Sequence, residues 1–460
     1  MTRIRMPLVW LAVLVLLVCN IGAIAQETTA RITGQVVDTQ GAVVPDAQIT
    51  LTNTMTREVR STKTDEAGNY SLTFIPPGIY ELSVRVQGFK EYLNRELELF
   101  VNDRKTINIT LEAGGADETV TVTADAPLVQ TTPTVGDVIE NRRVVELPLN
   151  NRNFMQLVTL VPGVTSSGSS EVGIGLTNVV DLSINGTRRN AVNWLVDGVS
   201  NTDVGSSITL LSVPTVDSIQ EFRVITSLPT AEFGRSAGGV VNLVTRGGTR
   251  DIHGGLYEFW RNDKLNANSF FGNAAGRHCD RGEDPPLGKS CGEERSPRAK
   301  LRYNNFGYNV GGPIYIPKLY EQRDKTFFFF SQEWRRIIRA PAESIIRVPS
   351  LKERAGDFSD PGQLTIIDPT TGQPFPGNRI PDNRIDPNSR LLLNLFPIPD
   401  VSSLTPGRGP DRFAVTAPNI QDTRQETMRF DHIFNNNHRL MARYTHDLSE
   451  TREQGGLVFG

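Results

Sequence analysis

The sequence predicts a mainly-β chain in three parts: an N-terminal β-sandwich, an α+β domain, and the first strands of an incomplete transmembrane β-barrel. Three observations predict it. Residues 26–113 consist of short alternating apolar and polar runs punctuated by Gly, Pro and Asp. Residues 127–249 mix helical spacing with strand-like runs. Beyond residue 250, amphipathic runs are joined by connections that alternate long and short, as in outer-membrane barrels.

Composition narrows the classes further. The 460 residues carry 48 Lys+Arg against 51 Asp+Glu, so there is no basic field to hold nucleic acid. Mean hydropathy is −0.27. With one apolar run in the chain, a bundle of membrane-crossing helices is excluded. Five His and three Cys leave little material for a metal site, and no cofactor is expected.

The apolar run is Leu8 to Val18. It follows Arg3 and Arg5 and precedes Ala23-Ile24-Ala25. A basic start, a short apolar stretch and an A-x-A site make a secretory signal peptide over residues 1–25, with Gln26 first in the mature chain. Removing Arg3 and Arg5 takes the formal charge from −3 to −5. Export also leaves two cysteines, Cys279 and Cys291, close in sequence and expected to form one disulfide. Zinc is a poor alternative, because only His278 lies beside them and no second ligand pair follows.

In residues 26–113 the strand cores are Ile32, Gln35-Val37, Gln48-Thr52, Glu58-Thr62, Tyr70-Phe74, Tyr80-Val86 and Ile107-Leu111. Turn residues fall between them at Gly41, Asp65-Gly68, Pro76-Pro77-Gly78 and Gly88, which argues for a small sandwich. Gly34-x-Val36-x-Asp38, Gly41-x-x-Val44-Pro45-x-Ala47, Thr64-Asp65-x-x-Gly68-x-Tyr70 and Pro77-Gly78-x-Tyr80 resemble a carboxypeptidase regulatory-like domain. That resemblance implies a non-catalytic module.

Residues 114–126 form a linker opened by Gly114-Gly115. It contains Glu118, Thr119, Val120, Thr121, Val122, Thr123 and Ala124. Alternating Val and Thr reads as an extended segment. Three uses are open to it: adding to the sheet edge of another protein, serving as the last strand of the sandwich before it, or acting as a plain linker. The string is similar to the TonB box of TonB-dependent outer-membrane receptors. The resemblance implies that these seven residues bind TonB, the periplasmic energy-transducing protein.

In residues 127–249, Asp137-Val138-Ile139-Glu140 predicts the start of a helix running to Glu146. Phe154, Leu157, Val158 and Val161 predict a second, ended by Pro162-Gly163. Strands are expected at Leu182-Ile184, Val192-Val196, Phe222-Ile225 and Val240-Thr245. Asp197-Gly198 fits a tight turn at positive φ, and Gly238-Gly239 a close backbone approach before a buried strand. Leu147-Pro148-Leu149-Asn150, Val161-Pro162-Gly163-Val164, Ile184-Asn185-Gly186, Leu195-Val196-Asp197-Gly198-Val199 and Ala231-Glu232-Phe233-Gly234 through Thr245 resemble, in order, a TonB-dependent receptor plug domain. Asn185-Gly186, where many plugs carry Arg-Gly, is nearer the subgroup with a regulatory-like domain and an Oar-like barrel.

Catalytic motifs fail on context. Gly234-x-Ser236-x-Gly238 matches a nucleophile elbow as a string, but a strand rather than a helix follows it. Gly288-Lys289-Ser290 lacks the first glycine of a phosphate loop. None of His253, His278, His432, His438 and His446 heads a zinc-peptidase pattern. The chain is therefore not expected to be an enzyme, and no catalytic residue is assigned.

Five strands are expected in residues 250–460, near His253-Asn262, Arg302-Pro313, Thr326-Arg336, Glu426-Phe434 and Arg439-Asp447. Trp260, Tyr308, Trp334 and Tyr444 are candidates for interfacial aromatic girdles. Five strands cannot close a barrel, since an open edge in lipid leaves backbone groups unpaired. The chain thus reads as the N-terminal portion of a longer protein. The family resemblance implies an outer-membrane location with the N-terminal domain in the periplasm, and contact with outer-membrane lipid. It also implies uptake of an extracellular ligand such as a siderophore, cobalamin, saccharide or peptide. The alternatives are a secreted or surface adhesin that binds carbohydrate or protein through its β domains, and a hydrolase with an accessory sandwich.

Overall fold

The computed structural model describes residues 28–115, 119–122, 129–130, 134–166, 182–203, 205, 210–234, 237–268, 270, 299–340, 344–360, 363–399, 412–415, 418–436 and 438–452. The signal peptide, Glu118, Thr123, Ala124, Ser236, Cys279 and Cys291 lie outside them. Two compact units are present. One comprises residues 1–255, 308–332 and 426–447; the other, residues 256–307, 333–425 and 448–460.

The first unit begins with the sandwich. Its strands are β1 (Ala30–Asp38), β2 (Gln48–Asn53), β3 (Val59–Lys63), β4 (Asn69–Ile75), β5 (Gly78–Arg85), β6 (Glu91–Leu99), β7 (Arg104–Thr106), β8 (Ile109–Leu111), β9 (Thr119–Val122) and β10 (Val129–Gln130). One sheet has the order β10-β7-β1-β4, with β8 also on β1; the other is β3-β2-β5-β6-β9. Alternate residues point inward, so Ile32, Ile49, Leu51, Leu82, Leu97 and Ile109 meet between the sheets. Two buried tyrosines keep their hydroxyls satisfied: Tyr70 donates to the Ile107 carbonyl at 2.9 Å and Tyr80 to that of Pro76 at 2.7 Å.

The α+β domain contains β11 (Val135–Glu140), β12 (Val164–Thr165), β13 (Ser183–Ile184), β14 (Val192–Val196), β15 (Val199–Ser200), β16 (Ile219–Ser227) and β17 (Gly239–Thr245). Its main sheet has the order β11-β16-β17-β14-β15. Phe154 and Phe222 sit edge to face, 5.8 Å apart, in a core that also holds Trp194, Leu157 and Val241. One expectation is corrected here. Residues Asp137 to Glu140 are not the first turn of a helix. They belong to β11, paired antiparallel to β16 from Val135↔Ser227 to Glu140↔Glu221, and the helix is only Asn141–Glu146. Six residues gain little as an isolated helix, whereas pairing satisfies the backbone along a sheet edge. The second helix is likewise shorter than its apolar spacing, at Met155–Val158.

Beyond residue 250 come β18 (His253–Asn262), β19 (Lys300–Pro313), β20 (Thr326–Ala340), β21 (Ser344–Arg347), β22 (Arg412–Val415), β23 (Asn419–Asn435) and β24 (His438–Arg452). The five long strands form a sheet in the order β18-β19-β20-β23-β24, and β21 pairs with β22. All five were legible, several of them shorter than they are. Within the second unit, the connection from β20 to β23 is more structured than its Pro/Gly/Asn content suggests. Ser350 forms a capping box with Glu353, and the Arg354 guanidinium donates to the carbonyls of Leu393 (2.7 Å) and Phe396 (3.0 Å). Trp334 stacks on Phe306 at 5.4 Å in the same unit.

Candidate functional site: the seams of the plug and the box strand

Three features of the first unit bear on function. The first is the turn between β14 and β15. Val196 pairs with Val199, so Asp197 and Gly198 are its two central residues, at φ 50° and 78°. This is the mirror-image turn that matches strand twist and tolerates few residue types. It also aims the Asp197 carboxylate. Thr245 donates to it twice, from its backbone N–H at 2.9 Å and from its hydroxyl at 2.7 Å. Two cations from long strands complete the set: Arg429 on β23 at 3.7 Å and Arg443 on β24 at 3.4 Å. Arg429 in turn holds Asp431 at 2.8 Å, Asp431 holds Arg439 at 3.0 Å, and Arg439 reaches Glu58 of the sandwich at 3.3 Å. One file of alternating charges therefore joins sandwich, α+β domain and barrel wall. Asp197, Asp431 and Glu58 are almost wholly buried. Removing one member strands its neighbours in low dielectric.

The second feature is the seam between the sandwich and β16–β17. The loop from Phe100 to Arg104, with Asn102 in the left-handed region (φ 58°), presents three groups to this sheet. The Val101 N–H donates to Glu221 at 2.5 Å, Asp103 pairs with Arg223, and the Asn102 amide oxygen accepts from Asn242 at 2.6 Å. Arg104 adds an ion pair with Glu232 at 3.0 Å. Burial pushes the Glu221 carboxyl up to about 8; the negative charges of Asp103 and Glu98 add to the rise, while the Val101 N–H and Arg223 oppose it. The seam is polar and hydrogen-bonded, the character of an interface that can part, unlike the apolar cores on either side.

The third feature is the box strand. Residues Thr119–Val122 form β9, which pairs in parallel with β6 from Glu91↔Thr119 to Asn94↔Val122. Of the three uses open to this segment, the structure thus displays the last strand of the sandwich. Shortly after it, Val129–Gln130 pairs with β7 through Val129↔Thr106 and Gln130↔Lys105.

The glycines Gly238 and Gly239 lie where β17 enters the sheet. A Cβ on Gly239 would meet the Ile225 carbonyl oxygen at 2.7 Å. Asn185 and Gly186 form another positive-φ pair, and the Asn185 N–H donates to the Gly163 carbonyl at 2.7 Å, bringing two separated sequence motifs together. Gly239–Thr245 after the Gly-x-Ser-x-Gly string is a strand. No group of three or more His, Cys, Asp or Glu residues suited to a metal occurs among the described residues. The charged file was not assigned from sequence. Its signal was present in Thr427, Arg429 and Asp431, polar residues alternating with Met428 and Phe430.

Comparison with known proteins names these parts. Residues 31–112 match the carboxypeptidase regulatory-like domain, 129–241 the TonB-dependent receptor plug domain, and 244–458 an outer membrane beta barrel domain. That order of domains is the architecture of a TonB-dependent outer-membrane receptor, and the barrel and plug place the chain in an outer membrane. Among individual proteins, the chain is similar to the TonB-dependent transporter Oar of Myxococcus xanthus. They are 25% identical over 363 residues, which cover 76% of this chain and 31% of that protein. The chain therefore spans under a third of the length of this relative. Among solved structures, the outer membrane transporter YddB from Escherichia coli is 14% identical, with a TM-score of 0.33, covering 68% of this chain and 33% of that one. The siderophore receptor PirA from Pseudomonas aeruginosa is 12% identical, with a TM-score of 0.30, covering 70% and 41%.

Proposed function

We propose that this chain works in energised uptake across an outer membrane, taking in a ligand too large for porins. On this reading the plug blocks the pore and a TonB-type periplasmic protein grips Glu118–Ala124. Ligand is captured on the outer side by residues of the long connections that follow β18 and β20. The observation that carries the reading is the seating of the plug turn at Asp197 against Arg429 and Arg443 of the wall strands. A plug held by a few buried ion pairs stays shut at rest and can be released by force. Cys279 and Cys291 are proposed to close a disulfide in the connection after β18, on the outer side. The chain's role is binding and gating, with no covalent chemistry of its own. Deleting Glu118–Ala124 is expected to abolish energy-dependent uptake while leaving insertion into the outer membrane intact. Unchanged uptake after that deletion would overturn the reading.

A further inference from the structure

We propose that Arg439 couples sandwich docking to the plug seat with reversed sense: the docked sandwich slackens the hold on Asp197, and its departure tightens it. This inference rests on the reading of Asp197 as the place where the plug is held. It goes further by naming what regulates that hold. Two observations carry it. First, each inner member of the charged file is shared. Arg439 gives one terminal nitrogen to Glu58 at 3.3 Å and the other to Asp431 at 3.0 Å. The Asp431 oxygen that takes Arg439 also accepts from Arg429 at 3.1 Å, and Arg429 stands between Asp431 and Asp197. Charges that share partners compete for them, so a gain at one link is a loss at the next. Second, the distances show where Arg429 stands while the sandwich is docked. It holds both oxygens of Asp431, at 2.8 and 3.1 Å, whereas Asp197 is 3.7 Å away. Glu58 draws on Arg439, Asp431 keeps Arg429, and the plug turn is left with the looser share. When Glu58 departs with the sandwich, Arg439 turns wholly to Asp431, Arg429 is released toward Asp197, and the seat tightens. Burial of Glu58, Asp431 and Asp197 keeps each of these shares large. The outer end of the file is buffered. Glu58 holds Arg60 at 2.8 Å through its other oxygen, so loss of Arg439 does not leave it uncompensated. Arg439 is thus a positioning residue, and the plug moves most easily while the sandwich is in place.

The test reads directions. In the lipid-reconstituted chain, hydrogen exchange is followed at the Thr245 amide, which donates to Asp197 at 2.9 Å and so reports on the seat. Glu58→Gln removes the pull on Arg439 and should slow this exchange roughly threefold or more. Arg60→Gln leaves Glu58 to Arg439 alone and should speed it. Arg439→Gln should speed it as well, because Asp431 then takes all of Arg429. The double variant Glu58→Gln/Arg439→Gln should behave as Arg439→Gln does, since Glu58 acts through that residue. If the file were only a structural tie, every variant would exchange faster. Faster or unchanged exchange in Glu58→Gln overturns the coupling, and so does the same direction of change in Glu58→Gln and Arg60→Gln. That second comparison stands even where Arg439→Gln fails to fold. Arg443→Gln separates the coupling from the seat, because Arg443 meets Asp197 directly at 3.4 Å. Faster exchange there without slowing in Glu58→Gln overturns the coupling and leaves the seat intact. Unchanged exchange there overturns the seat, and the coupling with it.

Discussion

In the plug, every residue of β14 and β17 is buried on both faces. In the wall strand β23, Thr427, Asp431 and Ile433 are buried while Met428, Phe430 and Phe434 are exposed. β14 and β17 lie in the middle of their sheet and read as near-continuous apolar runs. From Thr427 to Phe434, β23 keeps a two-residue period in which the polar Thr427, Arg429 and Asp431 turn inward together with Ile433, while Met428, Phe430 and Phe434 face outward. The difference teaches that alternation locates a strand without saying which face is the core. Hydrophobic surroundings outside and a charged plug seam inside give β23 its sense.

Substitutions can break or sharpen this contrast. The largest effect is expected in the plug core. Phe222→Ala opens a cavity beside Phe154 and should cost about 3–5 kcal/mol in urea unfolding of the lipid-reconstituted protein. Phe430→Ala on the outward face should cost far less. Equal losses would mean that the outer face of β23 is packed like an interior. Next in size is Asp197→Ala, which leaves Arg429 and Arg443 facing each other without their shared carboxylate. A loss of about 3 kcal/mol, read as earlier proteolysis of the plug, is expected. Combining it with Arg443→Leu should restore part of that loss; a purely additive double variant would show that no latch exists.

The smallest effect concerns the sandwich–plug seam and depends on pH. Glu221 faces Glu98 on β6, Asp103 in the docking loop with its partner Lys105 on β7, and Arg223 on its own strand; Glu140 on β11 is its register partner across the sheet and also acts on Glu98. A carboxyl whose value is raised in the docked state favours docking when protonated. Its contribution is therefore complete below the ordinary carboxylate range and declines as pH rises, ending near 8. Sandwich docking, followed by exchange at the amides of the Phe100–Arg104 loop, should loosen between about pH 5 and 8. Glu221→Gln should flatten that dependence.

Much of the fold was legible because its signals are local. Asp197-Gly198 announces its turn, and Phe306, Tyr308 and Val310 announce a wall strand. What escaped was set by distant partners. Asp137-Val138-Ile139-Glu140 carries a helix-start pattern, and only the presence of β16 alongside makes it a strand. Glu58, Arg439 and Asp197 are separated by hundreds of residues, and none is unusual in its own segment. Their conjunction is visible only once the strands are assembled. For Thr119–Val122 the sequence left several uses open, because a strand's edge pairing depends on which other edge is near.

The pairing of β10 with β7 has a consequence in lengths. Twelve residues separate Val122 from Val135, the first residue of the plug sheet. Two of them, Val129 and Gln130, pair with β7. Drawn straight at roughly 3.4 Å per residue, the linker spans about 40 Å. With β9 and β10 both released, Val122 could therefore stand up to about 40 Å from Val135. The largest separation this linker can bridge between sandwich and plug is thus fixed by its number of residues.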